Sequence, residues 1–386
     1  MRSPQGLFFL ECGVSPTRVS LMTGQRRPEL LPFLRHPIKR VGQETIANTT
    51  FSSRRKSPEN ARDVRAQDFP DEASIDIQLK FVLNYAVLAP SIHNSQPWVF
   101  RVYDSDVEIY ADRTRALAVV DPDDRSLIVS CGSAIETLLQ CLRVFGFEYQ
   151  ISLFPDILDL DLLARVRIDG RGAPSDDAND VLAAIRRRHT IRRGFVDKKL
   201  DFSFEQTLGC EEEKSGARLV LIQDTVVEER LLEEIQRSDT ANQSDKRFVR
   251  ESASWMHPLR ERSRDGIPLP LGESHNSGNT WKSHNSSSDE NISKMALLQI
   301  ESEGAQEWIG AGRKLMDCLI SASTFGINAA IRDVSSTTPN LRDNINEITG
   351  RMGIPLLLLR FGKGKRPVIT PRRPLVDVLL HPGYRK

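Results

Sequence analysis

From Leu127 to Gly146 the chain is apolar on nearly every helical face, with Leu127, Ile128, Val129, Ala134, Ile135, Leu138, Leu139, Leu142 and Val144 distributed all round. A helix of that kind has to be enclosed on all sides, so the rest of the chain is expected to be built around it. Gly146 is its natural stop. Cys131 and Cys141 fit inside it as small hydrophobes rather than reactive thiols. A second long helix is expected over 305–325, ended by Gly326, and its small residues Gly310, Gly312 and Ala322 would let another helix approach closely.

Strand patterns surround these two helices. Ser74 is placed to cap a helix whose stripe is Leu79, Val82, Leu83 and Ala86. Residues 98–103 and 107–111 alternate about Asp104-Ser105-Asp106 and read as a hairpin. Residues 149–154 and 162–168 read as two more strands, and a polar break at 170–180 follows. A second round then begins, with a short helix at 181–187, a strand at 219–222, an amphipathic helix at 226–235 and a buried strand at 355–361. This is an α+β layout in two similar halves, 71–176 and 177–386, with no strong internal sequence repeat. Within the second half, 272–289 is rich in Ser, Asn and Gly and is expected to be a mobile surface loop.

Residues 1–70 are basic, rich in Pro and Ser, and poor in helical periodicity. They are expected to form a disordered extension or an over-long start, with a transit peptide as the alternative, because they cannot bury enough surface to order themselves. Lys+Arg of 53 against Asp+Glu of 52 leaves a net charge of +1, so no global field recruits nucleic acid or a membrane and any anion site must be local. The five cysteines (12, 131, 141, 210 and 318) are scattered without a Cys-x-x-Cys pair. They imply no metal site and no disulfide framework, and point to a reducing cytoplasm. No apolar run approaches the roughly 20 residues of a membrane helix.

Three stretches carry chemistry. Ala89-Pro90-Ser91-Ile92-His93-Asn94-Ser95-Gln96-Pro97-Trp98 joins a helix to a strand through a bent turn with short polar arms, suited to the edge of a flat heterocycle. Arg186 to Arg193 holds five arginines around His189, Thr190 and Ile191. It is either a solvated helix end or a clamp of guanidinium forks and a hydroxyl around a phosphate. Arg372-Arg373 is a late basic pair.

The first stretch resembles the Ala-Pro-Ser-x-x-Asn-x-Gln-Pro-Trp segment of FMN-dependent nitroreductases. Arg188-His189-Thr190-Ile191-Arg192 resembles their Arg-x-Ser-x-Arg/Lys phosphate segment, with Thr for Ser. The turn here precedes the arginines, the reverse of the ordinary order. That order is similar to the Acg-like branch of the superfamily, in which one chain imitates the dimer. Asp121-Pro122-x-x-Arg125, Ser130-Cys131-Gly132, Asp265-Gly266-Ile267-Pro268 and Gly353-x-Pro355 before Leu358-Leu359-Arg360 also match, so the resemblance covers roughly 75–380.

The resemblance implies a nitroreductase-like fold of two pseudo-repeated halves, each with a mainly antiparallel sheet and packed central helices. It implies one FMN site per chain, with Pro90, Ser91, Asn94 and Gln96 facing Arg188, Thr190 and Arg192, His189 contributing its backbone N–H, and Arg372 or Arg373 closing the phosphate end. The mirror-image site would be degenerate. NAD(P)H is the implied co-substrate and a nitroaromatic or quinone the acceptor, with no catalytic side chain and no metal. A chain that imitates a dimer can be a monomer. The alternative is a non-catalytic FMN store, with residues 255–293 as a lid over the flavin. Two departures stand out. Ile327 to Ile331 occupies the place where ordinary members carry a Pro-x-Glu-Gly-like loop at flavin N5, and Ile191 stands where many Acg-like chains have Asn.

Overall fold

The computed structural model describes residues 61–192, 194–196, 200, 203–204, 216–256, 263–268, 281, 293–334, 340–364 and 370–380. Residues 1–60 of the extension expected over 1–70, most of the lid 255–293 and Arg193 lie outside the described residues. The first half runs α1 (Ile75–Ala86), β1 (Trp98–Tyr103), β2 (Asp106–Ala111), α2 (Arg125–Val144), β3 (Phe147–Leu153) and β4 (Leu162–Arg171). The second runs α3 (Ala178–Arg187), β5 (Ala217–Ile222), α4 (Thr225–Ser244), α5 (Lys246–Trp255) and β6 (Ser293–Ile300), then α6 (Ala305–Thr324), β7 (Asn328–Asp333), α7 (Leu341–Thr349), β8 (Ile354–Gly362) and α8 (Leu375–Val378).

Two four-stranded antiparallel sheets result, ordered β1-β2-β4-β3 and β5-β6-β8-β7. The two orders are the same once the second is renumbered from its own first strand. Remove α4, α5, α7 and α8, and each half is helix, two strands, long helix, two strands. The α+β repeat expected from the sequence is present in the topology.

The long helices meet at small residues. A Cβ on Gly312 would run into the Val129 carbonyl oxygen and lie 2.9 Å from the Gly132 Cα, while one on Gly132 would run into the Ile309 carbonyl oxygen. Gly132 is the eighth residue of α2 and Gly312 the eighth of α6. Equivalent positions therefore contact each other, as at a two-fold axis. Although α2 is long and apolar enough to cross a membrane, 89% of its qualifying window is buried inside the protein. Cys131, Cys141 and Cys318 are buried, and burial pushes the Cys131 and Cys141 thiols up, which keeps them protonated.

The second sheet is covered on both faces. Ala296, Leu298 and Leu359 join the main core with Ile309, Leu315 and Met316 of α6. Met295, Leu297 and Leu358 pack instead with Leu231, Leu232 and Ile235 of α4 and Leu341 and Ile345 of α7. Burial on both sides explains the unbroken apolar run of β8. The sequence reading missed β6, β7, α5 and α7. In β6 the core Met295-Ala296-Leu297-Leu298 consists of residues that favour helix, and only its partners β5 and β8 make it a strand.

Order begins earlier than expected. The Phe69 ring stacks on Phe145 (centroids 4.4 Å apart) and Val64 is buried, so residues 61–70 belong to the fold and not to the extension. Ser74 does sit at the N-cap of α1, but its hydroxyl donates to Asp76 Oδ1 (2.5 Å) rather than satisfying a helix amide.

At the start of α2, Asp121 accepts from the backbone N–H groups of Ser126 (3.1 Å) and Leu127 (2.8 Å), and the Ser126 hydroxyl donates to Asp333 of β7. Burial first, and then the Asp333 carboxylate, push the Asp121 carboxyl up to about 7. Its folded value thus lies above an unfolded value of about 4. The stability it contributes is complete below that pH and is lost as pH rises through the folded value. Between about pH 5 and pH 8 the protein should lose on the order of 2 kcal/mol from this group. Thermal melts of Asp121→Asn should show a flatter pH slope than wild type, and equal slopes would exclude Asp121 as the source.

Candidate functional site

The turn after α1 is tightly specified. His93, Asn94 and Gln96 all have positive φ (47°, 55° and 52°), a left-handed conformation that costs roughly 1–2 kcal/mol for a non-glycine residue. Hydrogen bonds hold them there. The Ser91 hydroxyl accepts from Gln96 N (2.9 Å), and Ile92 N donates to Ser130 Oγ of α2 (3.1 Å). Asn94 Nδ2 donates to Gly266 O (2.8 Å) and Pro371 O (2.9 Å), and Gly266 N donates to Asn94 O (3.1 Å). Gln96 Nε2 donates to Arg264 O (2.9 Å), while its Oε1 accepts from Arg373 N (2.8 Å). Arg115 adds a further fastening. Its guanidinium donates to Ser95 O and to the Asp265 carboxylate, and lies 5.1 Å over the Trp255 ring.

Asn94 and Gln96 are therefore buried and directed into the protein, while Ser91, Ile92 and His93 are half-buried. Pro90 and Trp98 are buried, and Trp98 packs in the main core.

The arginine segment arrives from the other half. Arg188 N closes α3 by donating to Ala184 O (2.9 Å), His189 N donates to Asn328 Oδ1 (2.9 Å), and Ile191 N donates to Ala329 O (2.9 Å). Thr190 bridges Ala329 in parallel, so the segment lies along β7. The stretch 327–331, read from sequence as a departure at the flavin N5 loop, is largely that strand. Ile191 packs with Phe195 and Ala330. The His189 backbone N–H is already engaged by Asn328, and burial lowers the affinity of its half-buried ring for a proton.

Arg188 and Arg372 then converge on the entry to the turn. Arg188 is 2% exposed; its Nη2 reaches Leu88 O at 3.4 Å, and its Nε and Nη1 have no hydrogen-bond partner among the described residues. Arg372 is 8% exposed. Its Nη1 donates to Asn94 Oδ1 (2.7 Å) and Thr370 Oγ1 (2.8 Å), its Nη2 to Ala89 O (3.2 Å) and Leu88 O (3.3 Å), and its Nε has no partner among the described residues. Arg192 donates to Thr190 O (3.3 Å).

Burial, followed by the charges of Arg62 and Arg192, brings Arg188 down to about 9. Burial brings Arg192 down to about 10. Arg372 is held well below the usual arginine range by burial and then by Arg62, Arg188 and Arg192. Among the described residues no carboxylate figures in any of these shifts. Arg373 differs from Arg372 in this respect, since its Nη1 lies 3.5 Å from Asp112 Oδ2 and its Nη2 donates to Asp377 O (2.8 Å). Of the late pair, Arg372 is the one that faces the cluster. Arg62 carried no sequence signal, because it falls in the stretch expected to be disordered.

The other shared motifs have structural duties here. Asp121 caps α2, Gly132 sits at the helix crossing, and buried Arg360 bonds Ser293 Oγ (2.8 Å) and pairs with Glu228 (3.2 Å).

No family model matches the chain. It is similar over most of its length to three proteins of Mycobacterium tuberculosis. One, Rv3131, is named as an NAD(P)H nitroreductase and is 27% identical over 332 residues, 81% of this chain and 93% of that protein. Uncharacterized protein Rv3127 is 24% identical over 78% of this chain and 92% of its own length. A third, acg, is also named as an NAD(P)H nitroreductase and is 23% identical over 80% of this chain and 97% of its own length. Over most of its length the chain is thus similar to proteins named as NAD(P)H nitroreductases, acg among them. Among solved structures, the FMN-dependent nitroreductase NfnB from Mycobacterium smegmatis superposes with a TM-score of 0.38 at 12% identity, over 52% of this chain and 97% of that one.

Proposed function

We propose that the protein is an FMN-dependent NAD(P)H oxidoreductase, with the cofactor phosphate held where Arg188, Arg192 and Arg372 converge. The observation that carries this reading is the group of guanidiniums, Arg188 and Arg372 buried and Arg192 half-buried, in which, among the described residues, no carboxylate takes part and Arg188 Nε and Nη1 and Arg372 Nε lack partners. Buried cations are ordinarily paired. A phosphate monoester supplies both the missing charge and three strong acceptor oxygens, and guanidinium forks match its geometry. The donor set therefore fits the phosphate end of FMN.

In this reading Ser91 to His93, the half-buried part of the turn, border the ring's polar edge with Thr190. Asn94 and Gln96 act one step removed, holding the turn against Arg372, Arg373 and the 264–266 segment. Held there, the flavin would supply hydride-transfer chemistry between NAD(P)H and an electron-poor acceptor such as a nitroaromatic or quinone. The chain's own work is to bind, orient and shelter, and no side chain is assigned a proton to carry.

The visible spectrum of the purified protein tests this. A flavin spectrum is expected that bleaches with NAD(P)H under anaerobic conditions and returns when a nitroaromatic or quinone is added. Colourless protein that cannot be reconstituted with FMN would overturn the reading. Bound flavin that never bleaches would point to the FMN store.

A further inference from the structure

We propose that Asp265, on the segment 263–268 of the second half, is a positioning residue for Arg372; this rests on the FMN reading above. Asp265 seats Gly266 against Asn94, and Asn94 in turn holds the Arg372 guanidinium. The segment folds back on the end of α5, where Ile267 N donates to Trp255 O (2.8 Å) and Ile267 bridges Met256 in parallel. From there it meets the first half at the turn. The Asp265 carboxylate accepts from Arg115, whose guanidinium also donates to Ser95 O, and from the Ser263 hydroxyl (2.6 Å). Gly266, at a φ of 70° that favours glycine, then pairs with Asn94 at two points. Its N–H donates to Asn94 O (3.1 Å), and its carbonyl accepts from Asn94 Nδ2 (2.8 Å).

An amide side chain has one accepting and one donating end. In Asn94 the donating end is committed to Gly266 O and Pro371 O, so Oδ1 faces Arg372 and accepts from its Nη1 (2.7 Å). Among the described residues, Asn94 is the one side chain outside the tail that bonds Arg372; Thr370 belongs to the tail, and the remaining acceptors are backbone carbonyls. Gln96 is divided in the same way. Its Nε2 donates to Arg264 O (2.9 Å), and its Oε1 accepts from Arg373 N (2.8 Å). Arg264 also reaches the tail directly, through Asp377 (2.9 Å). A segment that only braced the turn would account for bonds to the turn's backbone. It would not account for both amides being shared between residues 264–266 and the arginine pair. Turning the Asn94 amide over would set its NH2 against a guanidinium and its oxygen against two carbonyls. Gly266, seated by Asp265, is one of the two groups that oppose this rotation, so the aim of Arg372 depends on where the segment sits.

The test compares FMN with riboflavin, which lacks the phosphate, on the full-length protein freed of flavin. Asp265→Ala should weaken FMN about tenfold, the scale of one hydrogen bond to a charged group, and leave riboflavin unchanged. In an Arg372→Met background the same substitution should weaken FMN no further, because its effect passes through that guanidinium. Asp265→Asn is held to the same criteria should the alanine variant not fold. Unchanged FMN affinity would overturn the proposal. So would equal losses of FMN and riboflavin, or a full further loss in the Arg372→Met background, either of which would make the segment a general brace. If wild type bound neither flavin, the FMN reading would fall, and inorganic phosphate would then decide Asp265. A phosphate-induced rise in Tm that Asp265→Ala and Arg372→Met both reduce would keep it as a positioning residue of an anion site. The same rise in Asp265→Ala as in wild type, or none in wild type, would remove that role.

Discussion

Arg188→Met protein should purify without flavin and bind FMN about a hundredfold more weakly than wild type or worse, yet unfold at the same or a higher temperature when both are flavin-free. The two parts have one cause. Among the described residues, buried Arg188 has two guanidinium nitrogens unpartnered, and the side-chain hydrogen bond it makes to Leu88 O is long at 3.4 Å. Its charge is opposed by Arg62 and Arg192. In the flavin-free protein that charge is a cost, and methionine of similar length relieves it, as replacing buried charges with apolar groups often does. In the proposed site Arg188 would supply forked bonds to the FMN phosphate, and removing one partner of a buried pair costs about 3–5 kcal/mol. An arginine that merely braced the end of α3 would behave in the opposite way, with lowered Tm and flavin affinity unchanged. Isothermal titration with FMN and a melt of the flavin-free protein, run side by side, separate the two.

Gly312→Ala should destabilise the protein by roughly 3 kcal/mol, read from urea unfolding, and Gly312→Val by more. Two effects compete. In a free helix, glycine to alanine gains about 1 kcal/mol from propensity. Here the new Cβ meets the Val129 carbonyl and lies 2.9 Å from both the Gly132 Cα and the Ser133 N, all backbone atoms that cannot rotate away. Overpacking of that kind costs about 1–3 kcal/mol even where side chains can adjust, and α2 and α6 would have to separate along their crossing. Flavin occupancy should fall with stability, because α1 and its turn pack on α2 while Arg188 is held against β7, which follows α6. A gain of about 1 kcal/mol instead would mean that the helices do not approach each other at this position.

Much of this protein was legible along the chain. The all-round apolar helix, its stop at Gly146, the hairpin and the small residues of 305–325 are local patterns, and local patterns are what periodicity and turn chemistry report. The turn and the arginine segment could be recognised for the same reason, since each is a short run of consecutive residues. Ambiguity remained wherever a residue's role depends on distant neighbours. Met295-Ala296-Leu297-Leu298 favours helix by composition and is a strand because β5 and β8 flank it. Asn94 and Gln96 look like ligand arms in sequence, but packing turns them towards Gly266, Pro371 and Arg373.

The arginines show the division most clearly. The amino-acid order alone determines that Arg188, Arg192 and Arg372 exist and that the chain has no net field to recruit an anion. It also places a basic knot at the end of a helix, where solvent would ordinarily screen it. Only the tertiary structure decides that Arg188 is buried, that Arg372 arrives from 184 residues away to share Leu88 O with it, and that Arg62 reaches the Arg188 carbonyl from ahead of the first helix. Charge is a property of the residue, but an unmet charge is a property of its surroundings, and those are assembled only when the two halves close on each other.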